Sequence, residues 1–249
     1  MAIDVQKMKA MRAAHKVLAE FTYQPSQVVK GYANQTLYIN LDNNTIQAKP
    51  VTRMMKDIFI GGRGFGIWYL WNAVTPQTKW NSPENAIIIS PGPLAGTTNF
   101  PGSGKSLVVT ISPLTSAPVD SNVGGYFGPL LKFAGWDAIE IQGKAKSDVI
   151  VFIDGNKGRI TIEEAPGASV DSYPVGEEAV AMFADTDAEK RDVSSVSAGT
   201  GADHALFGCL NFSWYDTRRQ RVRLKQAGRG GIGTVFRDKK IKALVVKKS

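Results

Sequence analysis

The apolar positions change period several times along the chain. In the first 25 residues Ile3, Met8, Met11, Val17 and Leu18 are spread among Ala and Lys at helix-like intervals, and the pattern closes near Pro25, which predicts a helix. From Gly31 the period falls to two. Leu37, Ile39 and Leu41 alternate with polar residues, Asp42-Asn43-Asn44 supplies a turn, and Thr45-Ile46-Gln47-Ala48 returns, so a β-hairpin is predicted. Residues 54–70 combine Gly61, Gly62, Gly64 and Gly66 with a helix-like aromatic run that continues to Trp71. Segments 86–90, 106–111, 138–141, 149–153, 159–162 and 243–246 are short, rich in β-branched residues and bounded by Gly, Pro, Asn or Asp, and are read as strands. Helices are predicted over 125–134 and 177–183, with 185–192 a polar connection. The sum is an α+β, mainly β domain over residues 31–249, preceded by an N-terminal helical extension over residues 1–30.

Composition narrows the function. With 249 residues, 43% hydrophobic, the chain can bury a sizeable core. It contains no run of about 18 apolar residues, so no membrane span is expected. The start carries Lys7, Lys9, Arg12 and Lys16 without an apolar core or a small-residue cleavage site, and a cytoplasmic location is expected. A single cysteine, Cys209, excludes an internal disulfide, and the sequence has no C-x-x-C motif, so any iron–sulfur cluster must be held by another chain. Cys209 lies in the apolar run 205–212 and reads as a small core hydrophobe. The net charge of +8 favours a nucleic acid, a phosphorylated cofactor or an acidic protein as partner, and the excess is concentrated in 218–229 and 237–248 as a local basic face. His15 and His204 have no recognisable catalytic partner and read as structural.

Three glycine-bearing loops carry the candidate chemistry. Gly61-Gly62-Arg63-Gly64-Phe65-Gly66 lacks the spacing of a dinucleotide fingerprint and a bracketing βαβ unit. Pro101-Gly102-Ser103-Gly104-Lys105-Ser106 resembles the end of a P-loop, but Asn99 stands where the leading glycine belongs and a strand follows instead of a helix, so an ATPase is not expected. Gly228-Arg229-Gly230-Gly231-Ile232-Gly233 follows Arg218, Arg219, Arg221, Arg223 and Lys225, and its small residues would let backbone approach a ligand whose phosphates the cations meet.

In order along the chain, Gly61-Gly62-Arg63-Gly64, Ser82-Pro83-Glu84-Asn85, Gly92-Pro93-Leu94-Ala95-Gly96-Thr97, Ser112-Pro113-Leu114-Thr115 and Asn122-Val123-Gly124-Gly125-Tyr126-Phe127-Gly128 resemble the N-terminal domain of the tungsten-dependent aldehyde:ferredoxin oxidoreductase family. Leu131 to Ala138, Gly143-Lys144-Ala145, Ala227 to Gly233 and Lys242-Ala243 continue the resemblance. It implies antiparallel sheets forming a base for a bis-pyranopterin cofactor, with tungsten, or molybdenum in its place, held by dithiolene sulfurs and by no side chain. It also implies that the remaining helical domains and the [4Fe-4S] cysteines lie in a partner subunit, which passes electrons to ferredoxin or to other iron–sulfur subunits.

Residue by residue, the resemblance gives Lys105 a pterin phosphate and Asn122 a backbone carbonyl toward a bridging Mg²⁺, and it brings Gly124 and Gly125 close to a pterin. Arg63 joins the cofactor-binding set. Lys225, Gln226, Ala227, Gly228 and Arg229 match the family's final loop, with lysine for its first arginine and glutamine for the next residue, whose carbonyl would face the Mg²⁺. No general acid or base is nominated. The implied reaction is oxidation of an aldehyde to a carboxylate; the alternatives are an aromatic acyl-CoA reductase of the benzoyl-CoA type, a basic nucleic-acid-binding protein and a non-catalytic scaffold. Nucleic acid is not the expected partner.

Overall fold

The computed structural model describes residues 3–166 and 169–249. Among the described residues thirteen strands form two sheets. The first holds β2 (Gln35–Asn40), β3 (Thr45–Pro50), β4 (Ile87–Pro91), β5 (Ser106–Ile111), β6 (Pro118–Val123) and β7 (Ile139–Gln142), in the order β3-β2-β7-β4-β5-β6. The second holds β1 (Val17–Thr22), β8 (Val149–Asp154), β9 (Arg159–Glu164), β10 (Val193–Ser197), β11 (Leu210–Asp216), β12 (Arg221–Ala227) and β13 (Ile241–Lys247), in the order β1-β9-β8-β13-β10-β11-β12. Both sheets are mixed, which corrects the expectation of wholly antiparallel ones: β2 runs parallel to β7 and β8 parallel to β13. Each of these partners is separated by a long crossover, as parallel pairing requires.

Period-two alternation distributes the strand residues between layers. Val149, Val151 and Ile153 point into a central core shared with Ile87, Ile89, Ile139 and Ile141 of the other sheet, whereas Ile150 and Phe152 point outward. That outer face is covered by α5 (Ser172–Phe183) and α1 (Val5–Ala14). The outer face of the six-stranded sheet, through Ile88 and Val109, is covered by α2 (Arg53–Phe59) and α3 (Arg63–Ala73). The helix α4 (Phe127–Phe133) adds Phe127, Leu130 and Leu131 to the central core, and α6 (Ile232–Asp238) adds Ile232 and Phe236. Because both faces of the central strands are covered, they read as continuous apolar runs.

The N-terminal segment is half helix and half strand, which corrects the single helix read to Pro25. Asp4 caps α1 by accepting the Lys7 N–H at 3.0 Å, the helix stops at Ala14, and the chain extends into β1 along β9. Arg12 holds the two parts together. Its guanidinium donates to both Glu163 oxygens at 2.9 and 2.8 Å and lies 4.1 Å from the Phe183 ring centre.

The supposed basic face over 237–248 is corrected as well, because four of its cations are buried and satisfied. Arg237 bridges Asp148 and Asp203 at 3.1 Å each, and Lys247 pairs with Asp185 at 2.7 Å and Glu189 at 2.8 Å. Lys239 donates to the Gly143 carbonyl at 3.2 Å, and Lys242 to the Pro166 carbonyl. Lys132, near the end of α4, forms a fully buried pair with Asp137, which also accepts the backbone N–H groups of Ala33 and Asn34 at 3.0 and 2.8 Å. This pair fixes the chain's entry into β2. Cys209 is exposed and no core hydrophobe, since it precedes the first residue of β11 at the surface.

Candidate functional site

The edge strands β6 and β12 of the two sheets lie against each other, and the three glycine loops gather there. The β5–β6 turn is closed by Ser112, whose Oγ accepts the Leu114 N–H at 3.0 Å and donates to the Gly230 carbonyl at 2.9 Å, tying the last loop to the β5–β6 hairpin. A second tie runs from the Arg229 N–H to Ser121 Oγ at 3.2 Å. Sequence reasoning gave neither serine a tethering role, because the contact each makes exists only once the two sheets are placed together.

Packing explains several of the glycines. A Cβ at Gly104 would lie 2.4 Å from the Gly125 carbonyl oxygen, so the 101–105 loop sits directly on 124–125. A Cβ at Gly230 would meet Val119 at 2.4 Å, which brings the last loop equally close to β6. By contrast, a Cβ at Gly92, Gly124 or Gly125 would meet nothing within 4 Å. These three expose bare backbone to open space.

Cations surround that backbone. Lys105 Nζ donates to Asn122 Oδ1 at 3.3 Å, across the β5–β6 pairing. Arg63, the first residue of α3, is exposed and donates to Asp120 Oδ2 at 2.9 Å, two residues before Asn122. Gly62 positions it: its φ of 54° suits the turn from α2 into α3, and its N–H donates to the Pro91 carbonyl at 3.2 Å. The first glycine loop thus joins two helices and has no strand before it, as the rejection of a dinucleotide site requires. Ser106 likewise opens a strand, in keeping with the rejection of a P-loop.

Lys225, Gln226 and Ala227 are the last residues of β12 and not loop. Ala227 is buried opposite Leu210, and Gln226 donates to Asn211 Oδ1 at 3.3 Å. Lys225, Gly228 and Arg229 are exposed. The structure therefore brings together Arg63, Lys105, Asn122, Gly124, Gly125 and Arg229 through direct contacts among their loops, with Lys225 to Ala227 on the adjoining edge strand and Gly228 just past its end. Sequence reasoning missed Asp120 as the tether of Arg63 and the aromatic pair Tyr126 and Trp214, whose ring centres are 5.6 Å apart beside Gly125. Among the described residues no group of three or more His, Cys, Asp or Glu is placed to hold a metal ion. No helix of the structure is long and apolar enough to cross a membrane.

Two mixed sheets that present open glycine backbone and cations along one edge match a defined class of oxidoreductase domain: residues 36–248 fit the family model of the aldehyde ferredoxin oxidoreductase N-terminal domain. The chain belongs to the aldehyde ferredoxin oxidoreductase family. It is 34% identical over 217 residues to the tungsten-containing aldehyde ferredoxin oxidoreductase of Pyrococcus abyssi, a match covering 87% of this chain and 33% of that protein. It is 27% identical over 229 residues to the aliphatic sulfonate oxidoreductase, WOR-like subunit, of Pyrococcus furiosus, covering 88% of this chain and 35% of that one. Among solved structures it resembles the active site complex BamBC of benzoyl coenzyme A reductase in complex with 1,5 dienoyl-CoA. That likeness has a TM-score of 0.73 at 26% identity and covers 88% of this chain and 31% of the other. The chain spans about a third of the length of the relatives it matches.

Proposed function

We propose that this chain is the cofactor-binding part of a tungsten bis-pyranopterin oxidoreductase, with molybdenum as the alternative metal, that oxidises an aldehyde to a carboxylate. The observation that carries the proposal is the open backbone at Gly124 and Gly125, where a Cβ would meet nothing within 4 Å, beside the exposed Lys105, Lys225 and Arg229. Small residues allow a flat ring system to approach the main chain, and cations neutralise its phosphates. These residues fit such a group.

In this reading Lys105 and Lys225 hold the phosphate ends as compact point charges, while Arg229 and the tethered Arg63 offer planar donors. Hydrogen bonding to Asn122 keeps Lys105 over the β5–β6 edge. The main-chain carbonyls of Asn122 and Gln226 are assigned to a bridging Mg²⁺, a hard cation that takes oxygen ligands. The cofactor supplies the two-electron redox chemistry when bound, and this chain supplies its orientation and charge balance. The other two-thirds of the relatives' length is assigned to a partner subunit with the helical domains and the iron–sulfur cysteines, which hands electrons on to ferredoxin or another iron–sulfur protein in the cytoplasm. Reduction of an aromatic acyl-CoA is the second reading, favoured by the similarity to the benzoyl coenzyme A reductase complex.

Elemental analysis of the natively purified complex, with mass spectrometry of its subunits, tests the proposal. Tungsten or molybdenum, iron and a cysteine-bearing partner are the expected result; an intact complex free of both metals and of pterin would reject it. Gly124→Ala sharpens the test. The substitution is sterically free in the protein, so the expected outcome is unchanged folding with loss of most of the bound metal.

A further inference from the structure

The turn that leads from α2 into the first glycine loop is closed through a disfavoured backbone conformation. The Gly61 N–H donates to the Phe59 carbonyl at 2.6 Å, and Ile60 between them has a φ of 63° and a ψ of −53°. These angles lie near those of the rare, strained form of the γ-turn. Positive φ is especially unfavourable for a β-branched residue. Packing of the side chain does not hold Ile60 there, since the residue is 60% exposed. It directly precedes Gly61-Gly62-Arg63, so its conformation sets the direction in which that loop leaves α2.

The turn is held from outside by Tyr32, whose hydroxyl donates to the Ile60 carbonyl at 2.6 Å. The Tyr32 ring stacks with that of buried Phe65 in α3, their centres 6.4 Å apart. The ammonium groups of Lys56 and Lys132 lie 5.3 and 5.8 Å from its centre, within cation–π range. The main chain on either side is fixed as well. The Gly31 carbonyl accepts from Lys132 Nζ at 3.0 Å, the Ala33 and Asn34 N–H groups donate to Asp137, and Lys56 donates to Asn34 Oδ1. Tyr32 thus stands on the buried Lys132–Asp137 pair and reaches from it to the strained carbonyl.

Beyond the turn, the Gly62 N–H donates to the Pro91 carbonyl at 3.2 Å and Arg63 donates to Asp120 at 2.9 Å. These bonds fasten the loop to the end of β4 and to β6. A Cβ on Gly31 would lie 2.3 Å from the Pro93 carbonyl oxygen and one on Gly61 3.2 Å from the Pro93 ring, so the 92–93 loop rests against both segments. Relaxation of Ile60 to negative φ would turn the Gly61 N–H away from Phe59 and swing residues 61–63 off β4 and β6. It would also reorient the Ile60 carbonyl, which is why a hydrogen bond to that carbonyl opposes it.

We infer that Tyr32 is a positioning residue for the proposed cofactor site: its bond to Ile60 holds a strained turn in the conformation that sets Arg63 beside Asp120 and the Lys105–Asn122 pair. The inference rests on the proposed function for the role of Arg63, whereas the strain and the bond that opposes it are features of the chain itself.

The test compares the natively purified complex of the wild type, Y32F, I60G and Y32F/I60G. Hydrogen exchange of the 60–64 amides is followed by mass spectrometry, and the metal and pterin retained through extended dialysis are measured on the same samples. Y32F keeps the ring and loses only the hydroxyl, so exchange and cofactor loss should both quicken by roughly fivefold, the effect of one hydrogen bond. Glycine adopts positive φ without strain, so I60G should keep the loop in place, and the defect of Y32F should largely disappear in Y32F/I60G. A bond that only added stability would instead give additive losses in the double variant, because glycine itself costs backbone entropy. Wild-type exchange and retention in Y32F, or a Y32F/I60G protein worse than Y32F, overturns the inference. A metal-free wild-type complex whose exchange still follows this cycle would refute the cofactor reading alone, and metal-loaded complexes with additive losses would refute the role of Tyr32 alone.

Discussion

Two sets of basic residues in this protein have the same chemistry and opposite uses. Lys132, Arg237, Lys239, Lys242 and Lys247 are buried, and each meets a carboxylate or a main-chain carbonyl. Lys105, Lys225 and Arg229 ring the open glycines without an acidic partner among the described residues. The difference shows that a formal charge in the sequence becomes a binding surface only where the fold leaves it unneutralised. A buried cation loses hydration and must recover it from the protein, so removing its partner is costly. An exposed one can be replaced with little effect on folding.

The sharpest way to break this comparison is at Asp137. Asp137→Ala would leave Lys132 charged in the core and the Ala33 and Asn34 N–H groups unsatisfied, and a loss of about 3–5 kcal/mol is expected in chemical denaturation. A stability loss near that of a surface substitution would show that the pair is dispensable. Next in size is a pH effect at Lys239, whose ammonium is pushed down to about 7 by burial. The unfolded chain then binds more protons than the folded one between about pH 7 and the ordinary lysine value. Folding stability should rise with pH across that window by up to about 1.4 kcal/mol per unit. Lys239→Met should flatten most of this slope and stabilise the protein at neutral pH, which urea melts between pH 7 and 10 would read.

The exposed set should behave the other way. Lys105→Ala or Lys225→Ala is expected to shift stability by no more than about 0.5 kcal/mol. Each should nevertheless lower the metal content of the purified complex, and a variant that keeps full metal content would remove that lysine from the cofactor-binding set. The smallest effect is expected at Arg218→Ser, which should leave both stability and metal content unchanged. A change in either would tie the hairpin turn to the cofactor loops more closely than its place at the far end of β12 implies.

Six strand segments were legible as runs of β-branched residues between turn formers, and the resemblance in the glycine loops named the candidate site residues. The β2–β3 hairpin was legible too, from its alternation and its Asp42-Asn43-Asn44 turn, whereas strands such as β10 and β12 hid for physical reasons. β10, Val193-Ser-Ser-Val-Ser, looks like a polar connection, yet its serines are satisfied internally: Ser194 donates to the Ser213 carbonyl at 2.6 Å, and Ser213 Oγ accepts the Ser195 N–H at 2.7 Å. β12 alternates Arg221, Arg223 and Lys225 with Val222 and Leu224, and charge density masked the period of two. Cys209 was misread because its apolar neighbours straddle the end of a surface loop and the start of a buried strand. The pairing of Ser112 with Gly230 and of Ser121 with Arg229 joins positions more than a hundred residues apart, which no local pattern reveals.

The place of β1 at the margin of the seven-stranded sheet has one more consequence. It occupies the outer side of β9, where an apolar strand would otherwise offer its free main-chain groups to any neighbour, and Arg12 locks it there. Residues 17–22 thus act as a built-in guard against self-association. A shortened version that starts at residue 36, where the family match begins, would carry an unguarded edge, and it should tend to polymerise even with every cofactor-loop residue intact.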